Sequence, residues 1–183
     1  MPKGIIVFGP NGSGKTTLGR ELARVLNFKY MDIEDYYFEE SEIPYTNSRL
    51  REDFLNLMLA DIEKHGSFVI TACTGDFGEK ITYDLAVYMT APKDLRMQRI
   101  EQRGYDQYGD RVREGGDMYE QELGFLEWAA SRPLSKIDEW AETLTCPVIH
   151  VDGTKAIAEN AAWIARLVQA EAGHGSSSAE KFA

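Results

Sequence analysis

Lys15 and Thr16 close the run Gly9-Pro10-Asn11-Gly12-Ser13-Gly14-Lys15-Thr16, which has the spacing G-x-x-x-x-G-K-[ST]. The apolar residues Ile5 to Phe8 precede it, and a helical pattern follows. Between a strand and a helix, this spacing holds phosphate. Its glycines let consecutive N–H groups of Gly9, Asn11, Gly12, Ser13 and Gly14 turn inward toward anionic oxygens. The helix that starts near Gly14 aims its positive end, with the amides of Lys15, Thr16 and Thr17, at the same anion. Lys15 can reach the β- and γ-phosphates, and the Thr16 hydroxyl can ligate Mg²⁺. The expected ligands are therefore ATP and Mg²⁺.

A second group of chemically useful residues follows the next apolar run, in Tyr30-Met31-Asp32-Ile33-Glu34-Asp35-Tyr36-Tyr37. Phosphoryl transfer needs a metal on the phosphates and a group that orients the attacking hydroxyl. Asp32 and Asp35 are the candidates for these roles, with Asp32 the expected metal partner of Thr16. Crowded acids beside a phosphate repel one another unless cations balance them. Those cations are expected from Arg99 and Arg103, one helical turn apart, and from Arg111 and Arg113 beyond them. Cys73-Thr74-Gly75-Asp76, at another strand end, can line an acceptor pocket. Arg49 or Arg51 can hold an anionic group of the acceptor.

The elements that must position these groups repeat along the chain. Short apolar strands are expected at Gly4–Phe8, Phe28–Asp32, Ser67–Ala72, Asp84–Met89 and Pro147–Val151. Helices are expected at 15–26, at 47 or 48 to 65, from Pro92, at 118–130, at 133–144 and at 156–170. Trp128, Trp140 and Trp163 fall on helical stripes and read as core. Alternating strands and helices specify an α/β fold, a five-stranded parallel sheet with helices on both faces. Residues 1–170 read as one domain, and glycine-rich residues 104–117 as a mobile lid. Residues 171–183 read as a disordered tail. Ligands of such sheets bind at the carboxyl ends of the strands, where the loop, Asp32, Cys73 and Gly153 all lie.

The bulk composition narrows the partners. The chain has 183 residues and a net charge of -10. That acidity argues against nucleic acid and anionic membranes. Cys73 and Cys146 lack zinc or redox spacing, and neither a signal peptide nor a membrane span is legible. A cytoplasmic protein, monomeric or dimeric, is expected.

The order of features resembles the small P-loop kinases, of the adenylate, shikimate, gluconate and uridine kinase types, over about residues 3–170. Tyr30-Met31-Asp32-Ile33-Glu34 is similar to the F-x-D-x-D strand end of shikimate kinases, which implies Asp32 for Mg²⁺ and Glu34 in the acceptor position. Glu34-Asp35-Tyr36-Tyr37 is similar to the D-D-[FY]-[FY] segment of uridine kinases, which implies Asp35 at the acceptor hydroxyl. Arg99-Ile100-Glu101-Gln102-Arg103 is similar to the R-x-x-x-R of adenylate kinases. That implies Arg99 on the adenine and Arg103 on the phosphates. Asp152-Gly153-Thr154-Lys155 resembles the adenine-contacting turn after the fifth strand. The D-G-[FY]-P-R and G-G-G acceptor motifs are absent. The resemblance implies a kinase acting on an unidentified small-molecule acceptor. A nucleotide-dependent switch or ATPase acting on a protein partner is the second reading. An N-K-x-D guanine motif is lacking, which disfavours GTP.

Overall fold

A computed structural model describes residues 3–174 of the chain. Five strands form one parallel sheet: β1 (Gly4–Phe8), β2 (Lys29–Asp32), β3 (Phe68–Ala72), β4 (Leu85–Thr90) and β5 (Val148–Asp152). Their spatial order is β2-β3-β1-β4-β5, so β1 is central, between β3 and β4. The apolar run of β1 is buried at every position because both faces of the sheet are covered.

Alternation along β1 sorts its side chains between two cores. Ile5 and Val7 join Leu18 and Leu22 of helix α1 (Lys15–Leu26) and Ile164 and Val168 of α7 (Ile157–His174). Ile6 and Phe8 join Phe54 and Met58 of α3 (Arg51–His65) and Ile137 of α6 (Ser135–Glu142). The remaining helices are α2 (Ile33–Tyr37), α4 (Lys93–Tyr108) and α5 (Tyr119–Ser131). Full burial of a side chain such as Leu22 contributes roughly 1.5–3 kcal/mol.

Several expectations shift. The connector after Asp32 contains a short helix, α2, capped by the Asp32 side chain, which accepts from the Glu34 amide. Arg49 closes the other end of α2 by donating to the carbonyls of Asp35 and Tyr36. Helix α3 starts at Arg51 and does not use Asn47 or Ser48 as a cap. The segment expected as a mobile lid over 104–117 is helical through Tyr108 and forms a 3-10 turn over Gly109–Val112. Gly104 is buried there against the Glu122 side chain of α5, so this glycine serves helix packing rather than loop freedom. Trp128 and Trp163 are exposed, and only Trp140 packs inward, edge-on to Phe8. The last helix runs to His174, beyond the expected stop at 170. The remainder of the expected tail, residues 175–183, lies outside the described residues.

Candidate active site

The carboxyl end of β1 opens directly into the loop 9–14. Gly9 has a φ of 141°, and a side chain there would collide with the Met89 carbonyl of β4. Glycine at this position therefore lets the chain leave the sheet between two neighbouring strands. Gly14 caps α1 in the left-handed region, with a φ of 104° and no side-chain capping bond. The first turn of α1 carries no acid. The amides of Lys15, Thr16 and Thr17 thus present the uncapped positive end of a twelve-residue helix.

An anion-binding loop must send its carbonyls away from the anion, and here they are met by cations. Arg96 of α4 donates to the Asn11 carbonyl at 3.2 Å. Arg99 reaches the Ser13 carbonyl at 3.3 Å and the Gly153 carbonyl at 3.0 Å. Lys15 Nζ donates to the Pro10 carbonyl at 3.1 Å, which keeps the ammonium over the loop. Gly12 lies against the backbone of Arg96, so the loop rests on the start of α4. Arg96 is almost wholly buried, and burial lowers its pKa. Arg99 ties the loop to the turn after β5, where Gly153 donates to the Thr90 carbonyl and the Asp152 carboxylate holds Thr154.

The acids sit across the cleft. Asp32 ends β2 and is buried. Its Oδ2 accepts from the Tyr30 hydroxyl at 2.9 Å and from Thr16 Oγ1 at 3.3 Å. The Tyr30 hydroxyl also meets Thr71 Oγ1 on β3, which fixes the carboxylate against the sheet. Two cis oxygens of an octahedral Mg²⁺ lie about 3.0 Å apart. Thr16 Oγ1 and Asp32 Oδ2 lie near that spacing, so these two side chains could hold Mg²⁺ together. Among the described residues, no cluster of three or more His, Cys, Asp or Glu side chains offers an all-protein metal site.

Asp32 and Glu34 both line a cleft of about 460 Å³, together with Asn11, Gly12, Gly14 to Thr17, Cys73, Arg99 and Arg103. Asp35 is exposed and does not line the cleft. The reason is the helical phase of α2, in which successive residues diverge by about 100°. Glu34 turns inward and Asp35 lies exposed, with its pKa raised by desolvation and by the Asp32 charge. Burial raises the Glu34 pKa, the Asp32 charge adds to this, and Arg103 and Lys15 oppose it. Arg103 faces Glu34 from α4.

Other candidates fall elsewhere. Arg111 pairs with Asp117 at 2.8 Å, and Arg113 lies over the Tyr105 ring and pairs with Asp110. Arg51 donates to the Asp76 backbone. Asp76 lines a separate surface groove with Tyr83 and Cys146. Cys73 is a free thiol that donates to Asn11 Oδ1. Arg96 and Tyr30 are the site residues that the sequence did not single out, and Glu34 enters there only through the resemblance to shikimate kinases. For Arg96 the available signal is Pro92 at the start of α4, which sets the phase of Arg96, Arg99 and Arg103.

Arg96 is buried without a carboxylate partner, so its charge is costly and its bond to the Asn11 carbonyl is specific. Replacement by the apolar Met removes both, with opposed effects on stability. Arg96→Met is expected to fold with a stability within about 1 kcal/mol of wild type, yet to bind nucleotide roughly tenfold more weakly because the loop carbonyl is released. Denaturant unfolding and a calorimetric ATP titration check the two halves. Unchanged affinity would refute the role.

Known proteins are similar to this chain in sequence and in fold. The AAA domain family profile matches residues 5–123. The chain is 29% identical to the uncharacterized protein YqaC of Bacillus subtilis, over 87% of this chain and 93% of that protein. It is 26% identical to a cytidylate kinase of Ignicoccus hospitalis, over 60% of this chain and 70% of that one. The fold is shared with a deoxyadenosine kinase from M. mycoides solved with bound dATP (TM-score 0.60, 13% identity, 91% of this chain and 99% of that one). It is shared also with a shikimate kinase from Bacteroides thetaiotaomicron (TM-score 0.55, 19% identity, 92% of this chain and 99% of that one). With its phosphate loop, its parallel sheet and a family profile spanning about two thirds of its length, the chain belongs to the AAA domain family, in its P-loop kinase type.

Proposed function

We propose that the protein transfers the γ-phosphate of ATP to a small-molecule acceptor bearing a hydroxyl or phosphate group. The observation that carries this reading is one cleft shared by the loop amides, Lys15, the Thr16–Asp32 pair, Glu34 and Arg103. A binding site alone needs only the first two. Phosphoryl transfer needs the carboxylates and the second cation as well.

In this reading the loop amides and the α1 amides bind the phosphate chain. Lys15 lies against the β- and γ-phosphates and stabilises charge that builds on the leaving oxygen. Thr16 and Asp32 would hold Mg²⁺, which would supply further neutralisation of the phosphate charge. Asp32 or Glu34 accepts a hydrogen bond from the acceptor hydroxyl and receives its proton. The acceptor oxygen forms a bond to the γ-phosphorus as the bond from that phosphorus to the β–γ bridging oxygen breaks. ADP departs with the electron pair. Arg103 faces the equatorial oxygens from α4. Catalysis here is mainly positioning and fixed charge in a partly dry cleft. The two free thiols and the use of ATP suit a cytoplasmic setting.

ADP release is to be measured with Mg-ATP and a panel of nucleosides, nucleoside monophosphates, sugar acids, shikimate and aminoglycosides. An acceptor-dependent rate is expected, and Lys15→Ala should lower it by about 10²–10³-fold. A wild-type rate in Lys15→Ala would remove the proposed ATP site. Asp32→Asn should reduce Mg²⁺-dependent turnover far more than Mg²⁺-independent nucleotide binding. Equal loss of both would take the metal role away from Asp32.

A further inference from the structure

A second chamber, of about 260 Å³, adjoins the phosphate cleft. Glu34 and Arg103 line both spaces, so the two adjoin at these side chains. The chamber has aromatic walls from two parts of the chain: Phe38 and Tyr45 from the connector after α2, and Phe125 from α5. Phe38 and Tyr45 meet edge to face at 5.3 Å. Tyr45 holds a φ of 63°, a left-handed conformation that costs a side-chain-bearing residue about 1–2 kcal/mol. Such strain persists where surrounding contacts enforce it, and it concentrates at ligand clamps. One such contact is visible, since Gln121 Nε2 of α5 donates to the Pro44 carbonyl at 2.9 Å.

The polar groups of the chamber are unevenly charged. Glu34 and Glu122 contribute two carboxyls against the single guanidinium of Arg103. The Glu122 carboxyl lies against Gly104 of α4 and makes no hydrogen bond or ion pair among the described residues. The Tyr108 hydroxyl is buried beside that of Tyr45 without a well-formed hydrogen bond. Glu122 is half-buried and feels the Arg103 charge, and a carboxyl so placed without a hydrogen-bond donor gains from a ligand that brings one. Aromatic faces bind flat rings and cations. An added carboxylate or phosphate would meet two acids and only the one arginine that also faces the phosphate cleft.

We propose that this chamber seats a ring of the phosphoryl acceptor and selects uncharged or cationic ring alcohols over carboxylic acids and phosphate esters. The assignment rests on the phosphotransfer reading above and names the class of acceptor. Glu122 is its main discriminating residue, through a hydrogen bond to a donor on the ring.

The test is a thermal-shift and calorimetric comparison of the whole chain with matched ligand sets. One set holds nucleosides and aromatic amino alcohols. The other holds shikimate, gluconate and nucleoside monophosphates. Each set is measured with and without a nonhydrolysable ATP analogue. Stabilisation by the first set and not by the second is expected. For the best cationic or donor-bearing ligand, Glu122→Gln should raise Kd about tenfold. Phe125→Ala should abolish the shift, and the near-isosteric Glu122→Gln keeps the test valid if Phe125→Ala does not fold. A stronger response to the anionic set, no response to either set, or an unchanged Kd in Glu122→Gln would overturn the proposal. The shift produced by the ATP analogue alone, and its loss in Lys15→Ala, reports separately on the phosphate site.

Discussion

A loop can offer its N–H groups to an anion only if its carbonyls are satisfied on the other side. In this chain, the hydrogen bonds that Arg96 and Arg99 make to the carbonyls of Asn11, Ser13 and Gly153 meet that requirement. The rest of the site depends on them. They join three strand ends, those of β1, β4 and β5, into one rim, because α4 follows β4 and Gly153 follows β5. Arg96 supplies positive charge behind the loop, and Arg99 supplies it at the rim of the cleft. The burial of Arg96 is therefore explained by its backbone partner rather than by an acid. A buried cation bonded to a carbonyl is electrostatically costly, and the Arg96 Nε is left without a hydrogen-bond partner among the described residues.

The sheet serves the same end. Parallel pairing places the ends of all five strands on one edge, with β1 at the centre. Register pairs Asp32 with Thr71, and the Tyr30 hydroxyl binds both. The carboxylate that faces Thr16 is thus held by backbone pairing and by a phenol, two constraints independent of any ligand. Preorganisation of this kind fixes charge before substrate arrives.

Much of this was legible in the chain. The apolar run of β1, the glycine spacing and the helix from Lys15 each demand one another, so strand, loop and helix were set together. Five apolar runs gave the five strands within a residue or two. What local pattern could not give was rotational phase. Whether Glu34 or Asp35 faces the cleft depends on a helix of five residues whose start at Ile33 is fixed by the Asp32 cap. That Arg96 and Arg99 both meet the loop depends on where Pro92 starts α4. Trp128 and Trp163 lie on helices whose neighbouring residues are also apolar, so burial could not be read from periodicity. Gly104 looked like loop punctuation, but its lack of a side chain admits Glu122.

The central claim is that loop 9–14, with Lys15, recognises a chain of phosphates rather than a base. It is tested most directly by calorimetric titration of the purified protein with AMP, ADP and ATP in the presence of Mg²⁺. The account requires one site per chain and an affinity that rises with each added phosphate, steepest for ATP. Equal affinity for all three nucleotides would contradict it, because recognition would then lie in the base and the loop would be no phosphate site.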